Sequence, residues 1–204
     1  MISAIIPAFN EADRIEKVLI ETKKYVDEII VIDDCSSDDT ALVSKKYAKV
    51  FKNSKNKGYI YSIKKGFKKA KYDIIVTLDA DGEHDPADIP RLVKPIIDDK
   101  ADLVQGARDF VPRFSERIIN RLTNFKVKVK DCGTGFHALN KGLALKLKLK
   151  GVCICGIFVL EARFFDARIS EVGVKTNIVN KKRKIAYKHL IQFFIVLYFI
   201  LFKF

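Results

Sequence analysis

Apolar positions along this chain fall into short β-branched runs separated by segments of helical period. Ile2–Pro7, Glu28–Asp33 (EIIVID), Val50–Phe51, Asp73–Leu78 and Asp102–Gln105 read as strands. A helix is expected from Glu11, capped by Asn10, with Ile15, Val18 and Leu19 on one face. DDCSSDDT supplies turn residues and a helix start leading into Ala41–Tyr47. Tyr59–Ala70 has the pattern of a basic amphipathic helix, and Asp88–Lys100 that of a helix interrupted by Pro90 and Pro95. Asp85 and Asp88 sit where a helix start wants acids. Strands alternating with helices imply a mostly parallel sheet flanked by helices, with ligands at the carboxyl ends of the strands.

Beyond Phe110 the pattern changes. Arg113–Val127 reads as a helix with Phe114, Ile118, Leu122 and Phe125 on one face. DCGTGFHAL is glycine-broken, Gly156–Ala167 is helical in pattern, and Ile169–Thr176 reads as a strand. Repeats, low-complexity tracts and linkers are absent from the sequence. The economical division is one catalytic-type domain over 1–184 and a basic, apolar helical tail over 185–204.

That tail carries Leu190–Phe202, LIQFFIVLYFILF, apolar except for Gln192. Thirteen helical residues span roughly 20 Å, short of a hydrocarbon core of roughly 30 Å. A buried helix, an interfacial anchor and a shortened span all fit that length. Lys181, Lys182, Arg183, Lys184 and Lys188 precede the run, which favours membrane association at a cytoplasmic face.

Charge sharpens the picture. The 204 residues carry 38 Lys and Arg against 25 Asp and Glu, a net charge of +13. Such an excess suits an anionic partner, whether nucleic acid, an anionic membrane or a phosphorylated substrate, or else a lysine-rich proteome bias. Against that background the acids cluster at three strand ends: Glu11, Asp33 with Asp34, and Asp79 with Asp81, followed by Glu83. Residues i and i+2 of an extended backbone point the same way, so Asp79 and Asp81 can share one site. Mg²⁺ and Mn²⁺ favour such carboxylates together with substrate phosphates. A capped, solvated turn is the plainer reading of the same D-x-D. The four cysteines form no C-x-x-C pair and the three histidines are scattered, so a structural zinc site is not expected, and the thiols read as reduced and cytosolic. A cleavable signal peptide is not expected either, since Met1–Phe9 lacks a basic start and a long apolar core.

PAFNE at 7–11, VIDDCSSDDT at 31–40, NKG at 56–58 and LDADGEHDP at 78–86 occur in this order. Together they closely resemble family 2 glycosyltransferases of the GT-A fold, nearest to dolichyl-phosphate mannose synthases and polyprenyl-phosphate glucosyltransferases. The likeness is strong over about the first 110 residues and continues in QGARD at 105–109, DCGTGF at 131–136 and EVGV at 171–174. The resemblance implies inverting transfer of a sugar from a nucleotide-diphosphate sugar, of UDP-glucose or GDP-mannose type, to a polyprenyl phosphate. It implies Mg²⁺ or Mn²⁺ as cofactor, a membrane surface as partner, no nucleic acid, and a location at the cytoplasmic face of the membrane.

Residue by residue, the resemblance places Pro7, Ala8, Glu11, Asp33, Asp34, Lys57, Asp79 and Ala80 around the nucleotide sugar. Asp79 and Asp81 would hold the metal, with Glu83 as an auxiliary. Arg108, Arg117, Arg183 and Lys188 would grip the acceptor phosphate, and Asp79, Asp81 and Arg117 would carry catalysis. A lipid phosphate is already ionised near neutral pH and needs no strong base, whereas a sugar hydroxyl does; Glu161 is the candidate for that role. Cys35 replaces the glycine usual in DDGS, and Tyr59-Ile60 replaces small residues after NKG.

Three competing readings remain. One is a family 2 transferase acting on a hydroxyl acceptor, although the sequence has no tryptophan and so lacks the Q-x-x-R-W motif of processive polysaccharide synthases. Another is a haloacid dehalogenase-type phosphatase, disfavoured by Glu83 where that motif wants threonine or valine. The last is a non-catalytic nucleotide- or lipid-binding module.

Overall fold

A computed structural model describes residues 1–111, 113–177 and 186–203. A seven-stranded sheet forms the centre. Its strands are β1 (Ile2–Ala8), β2 (Glu28–Asp33), β3 (Lys49–Lys52), β4 (Ile74–Thr77), β5 (Leu103–Arg108), β6 (His137–Asn140) and β7 (Ile169–Val174), in spatial order β3-β2-β1-β4-β6-β5-β7. All run parallel except β6, which pairs antiparallel with both β4 and β5. The expected mostly parallel sheet is present. The strand β6 was not expected, because HALN is only four residues long and both of its partners lie far off in sequence.

The helices are α1 (Ala12–Thr22), α2 (Thr40–Ser44), α3 (Tyr59–Lys69), α4 (Ile89–Ile97), α5 (Phe114–Thr123), α6 (Lys141–Lys146), α7 (Ile157–Phe164) and α8 (Ala186–Lys203). A 3₁₀ turn over Pro86–Asp88 precedes α4, capped by Asp85, whose carboxylate accepts from the Ala87 N–H. The central strands are β-branched and buried on both faces, as a parallel sheet covered by helices requires. One core joins Ile15, Val18 and Leu19 of α1 and Leu92 and Val93 of α4 to the sheet. The other joins Ile63 and Phe67 of α3 and Phe158, Val159 and Leu160 of α7 to the opposite face.

Three local expectations are corrected. Asn10 does not cap α1. It has a φ of 55° and its Oδ1 accepts from the Ser37 N–H, while Asp38 accepts from the Ala12 N–H at the helix start. The apolar face expected over Arg113–Val127 is split: Phe114 of α5 is 73% exposed, Ile118 is also exposed and Phe125 beyond the helix is 77% exposed, while Leu122 packs against the core. The buried stripe is Glu116, Ile119 and Thr123. Helical period identifies faces but not the medium each face meets. Glu161 is no general base either, because its carboxylate accepts the N–H groups of Lys148, Leu149 and Lys150 and so closes that loop.

His137 of β6 is fully enclosed and stacks on Phe158, with ring centroids 4.2 Å apart. Thr77 Oγ1 gives its proton to the Gly135 carbonyl, so the His137 Nδ1–H, 3.3 Å away, is the donor to that hydroxyl. Burial, reinforced by His84, pushes the His137 pKa down to about 3 from 6.5. The unfolded chain therefore takes up this proton first. Its contribution to stability is complete above about pH 6.5 and is lost as pH falls toward 3. Urea midpoints should drop between about pH 7 and about pH 5, and the drop should shrink in His137→Gln. Equal midpoints in the native chain would contradict the buried neutral imidazole.

Candidate active site

The sheet register brings three strand ends to one edge. Ala8 of β1 pairs with Asp33 of β2, and Ile5 pairs with Thr77 of β4. Pro7 and Ala8 are buried at that edge, and the loops that follow are laced together. The Asn10 N–H donates to Ser36 Oγ at 3.0 Å and the Glu11 N–H to Thr40 Oγ1 at 2.8 Å. Asp34 accepts three N–H donors: Asn53 Nδ2 at 2.7 Å, Lys57 N at 2.9 Å and Gly58 N at 2.7 Å. Its carboxylate thus sets the position of the NKG loop. Asp33 accepts from the Ser36 N–H and faces the Lys52 ammonium at 3.7 Å. Cys35, where the resemblance leads one to expect glycine, has a φ of 67°, a left-handed conformation that a β-carbon disfavours. Lys57 is exposed and its ammonium donates to Tyr61 Oη at 3.0 Å.

The turn after β4 carries the acids. Asp79, Asp81 and Glu83 each offer a carboxylate oxygen, and these oxygens lie within 4.8 Å of one another. Asp81 is buried, and its Oδ1 accepts from the Glu83 N–H at 3.2 Å. Ala80 between the two aspartates is buried too. His84 Nδ1 accepts from the Asp79 N–H at 3.2 Å, and its ring stacks on Phe136. Three carboxylates this close repel one another unless a cation compensates them.

Behind the acids lies a second charged layer. Arg108, at the end of β5, is 7% exposed in its side chain. It grips Asp131 with two parallel bonds, of 2.6 and 3.0 Å, reaches Glu116 at 3.2 Å and lies 3.5 Å from Glu83. Burial alone would lower its pKa, but the bonds to Asp131 and the charges of Glu116 and Glu83 outweigh burial and hold it above the ordinary arginine value. Glu171 accepts the Lys130 and Asp131 N–H groups and so supports that network from β7.

Comparison with known proteins now decides the family. Residues 3–166 match the family model described as "Glycosyl transferase family 2". The chain belongs to glycosyl transferase family 2. A UDP-N-acetylglucosamine–dolichyl-phosphate N-acetylglucosaminyltransferase of Methanococcus voltae is 30% identical over 86% of this chain and 85% of its own. A dolichol-phosphate mannosyltransferase of Pyrococcus furiosus is 30% identical over 74% of this chain and 49% of its own. The glucosyl-3-phosphoglycerate synthase of Mycobacterium tuberculosis, solved with Mn²⁺, UDP-glucose and phosphoglyceric acid, superposes with a TM-score of 0.81. That superposition covers 97% of this chain and 78% of the synthase at 21% identity, and shows the shared GT-A fold.

In this family 2 glycosyltransferase the basic residues expected at the acceptor take different positions. Arg117 is exposed on α5, its guanidinium 5.1 Å from the centre of the Phe110 ring. Lys188 is exposed on α8. Arg183 lies outside the described residues. Arg108 directs its Nε and Nη2 donors to Asp131 and Glu116 and lies 3.5 Å from Glu83.

Sequence reasoning overlooked Asp131, Glu116, His84 and Gly135 in the transferase. A β-carbon at Gly135 would lie 2.8 Å from Asp79 Oδ1 and 2.9 Å from Tyr59 Oη. The DCGTGF stretch is therefore glycine-broken where its backbone must approach Asp79, a contact across β4 and β6 that no local pattern announces. Gly135→Ala is expected to displace Asp79 and lower kcat/KM at least about tenfold with little loss of thermal stability. Native kinetics in that variant would show that Asp79 is free to yield.

Proposed function

We propose that this transferase moves a sugar from a nucleotide-diphosphate sugar to a polyprenyl phosphate at a membrane surface, with Mg²⁺ or Mn²⁺ bound by Asp79, Asp81 and Glu83. The observation that carries this reading is the convergence of those three carboxylates beside the laced loops of β1 and β2. The donor set is hard oxygen, which suits either ion. Both relatives named above are transferases to dolichyl or dolichol phosphate, and the solved synthase holds Mn²⁺ beside UDP-glucose.

In this account Pro7, Ala8, Glu11, Asp33, Asp34 and Lys57 shape the nucleotide pocket, and Asp34 acts chiefly by fixing the loop at 56–58. When bound, the ion supplies positive charge at the leaving diphosphate. Asp81 is held by the Glu83 N–H, and Glu83 in turn faces Arg108, so the chain fixes two ligands with the Arg108 cation behind them. An acceptor phosphate oxygen attacks the anomeric carbon. The new carbon–oxygen bond forms as the bond to the nucleoside diphosphate breaks, with inversion. A phosphate monoester, with a second pKa of about 6, needs no proton removed near neutral pH. That agrees with Glu161 being committed to backbone N–H groups. Arg117 and Lys188, both exposed on neighbouring helices, are the acceptor-phosphate ligands of the proposal, together with Arg183 from sequence.

The membrane part rests on α5 and α8, which pack together. Their outward residues include Phe114 and Ile118 on α5 and Leu190, Phe194, Leu201 and Phe202 on α8. Among the described residues no helix is long and apolar enough to cross a membrane. A helix pair with an exposed apolar surface beside lysines and arginines fits an anionic lipid surface lying parallel to the helices. The test pairs a short polyprenyl phosphate with the corresponding polyprenol, each with labelled nucleotide sugars and vesicles containing anionic lipid. Label is expected in the phosphate lipid only. Transfer to the polyprenol or to an added saccharide would favour the hydroxyl-acceptor reading.

A further inference from the structure

The one polar break in the apolar tail, Gln192, is fully buried, and so is its neighbour His189 one turn earlier. Both face the loop that precedes α7. Gln192 Oε1 accepts the N–H groups of Val152 at 3.1 Å and Cys153 at 3.3 Å, and its Nε2 donates to the Cys155 carbonyl at 3.0 Å. A β-carbon at Gly151 would lie 2.6 Å from Gln192 Oε1, so the loop comes this close only because that residue is glycine. The loop is thereby held with both cysteine side chains beside His189.

Cys153, Cys155 and His189 each present a donor atom within 4.8 Å of the other two. Cys155 Sγ lies 3.9 Å from His189 Nε2. Bond lengths of about 2.3 Å to sulfur and 2.0–2.1 Å to imidazole nitrogen put tetrahedral ligands of one zinc ion roughly 3.5–3.8 Å apart. The observed spacing reaches that range with side-chain adjustments alone. The other imidazole nitrogen is also provided for: His189 Nδ1 lies 2.7 Å from Ser115 Oγ on α5. With the Nδ1 proton given to that oxygen, the Nε2 lone pair faces Cys155, and such a hydrogen-bonded partner is what fixes the tautomer of metal-bound histidines.

We propose that Cys153, Cys155 and His189 form a binding site for a soft divalent cation, best matched by Zn²⁺, which fastens α8 to the catalytic domain. Two thiolates and a neutral imidazole leave no net charge with the ion, as suits a largely buried position. Binding releases the two thiol protons to solvent. Three protein ligands leave a fourth position for water. The soft sulfur set is distinct in chemistry from the all-oxygen set at Asp79, Asp81 and Glu83. The sequence alone argued against zinc, because C-x-C lacks the usual ligand spacing and His189 lies 34 residues beyond Cys155. Folding of α8 onto the domain is what brings the three together.

The test uses the full chain, kept reduced and anaerobic, with saturating Mg²⁺ to occupy carboxylates, titrated with Co²⁺ and then Zn²⁺. One Co²⁺ per chain should bind with thiolate-to-metal charge-transfer absorption and tetrahedral visible bands, and Zn²⁺ should erase both. Cys153→Ser should weaken Co²⁺ uptake at least tenfold, while Cys35→Ser should not change it. Asp81→Ala should retain the bands, so failure here and failure of the transferase metal site are told apart. No charge-transfer absorption in the native chain, undiminished uptake in Cys153→Ser, or a Cys153–Cys155 disulfide in place of free thiols would each overturn the proposal. The native-chain spectrum decides even where a variant folds poorly.

Discussion

Asp81→Ala is expected to lower kcat/KM for sugar transfer by about a thousandfold or more, since losing the cation's charge stabilisation removes several kcal/mol from the transition state. The fold should survive. Asp81 accepts from the Glu83 N–H and sits among like charges, so its removal also relieves repulsion with Asp79 and Glu83. The variant should therefore be as stable as the native chain when no divalent ion is present. It should also lose the stabilisation that Mn²⁺ is expected to give the native chain by mass action. Thermal melts with and without Mn²⁺, paired with initial rates, check both halves. A variant that keeps its rate, or still gains stability from Mn²⁺, would take Asp81 out of the site.

Arg108→Gln should be costly for a different reason. The native guanidinium pairs with Asp131, Glu116 and Glu83 in a nearly dry setting. Removing it leaves Asp131 buried without its cation, while Glu116 keeps its pair with Arg113, a loss of about 3–5 kcal/mol. The urea midpoint should fall with the m-value unchanged. Activity should fall too, because Glu83 loses the charge that faces it. Arg108→Lys should recover little, since a point charge does not reproduce the two-bond fork to Asp131. Had Arg108 served only the acceptor phosphate, stability would stay put and KM for the lipid alone would rise. That contrast separates a positioning role from a binding one.

These two residues also mark how far the sequence reaches. Asp79 and Asp81 were readable because a β-branched run ending in D-x-D is a local signal, and the i, i+2 geometry needs no distant partner. The loops at 7–11 and 33–40 were marked by turn residues and by the family resemblance, although Asn10 in the first does not form the helix cap expected of it. Arg108 was not readable. Its partners lie in the next helix (Glu116) and beyond it (Asp131), and a guanidinium after a strand looks the same whether it faces phosphate or carboxylate. The short antiparallel strand β6 escaped for a related reason, being recognisable only once β4 and β5 flank it. In α5 the period was right but did not say which residues meet the core: Glu116 turns in to meet Arg108 and Leu122 packs on the core, while Phe114 turns out. Gln192 read as the one polar break in an apolar run and His189 as one of three scattered histidines, yet both help dock α8. The expected sheet, the strand-end acids and the apolar tail all appear in the fold. The long-range polar contacts that position them needed the tertiary structure.

The most direct measurement is one reaction followed in two solvents. The full chain is incubated with anionic vesicles, a short polyprenyl phosphate and labelled UDP-N-acetylglucosamine, UDP-glucose or GDP-mannose, first with a chelator and then with excess Mn²⁺. The account predicts that one of these donors labels the organic-phase lipid only after Mn²⁺ is restored, with release of the nucleoside diphosphate. Label that enters the lipid equally in the chelator, or that appears only in a water-soluble saccharide, would contradict it.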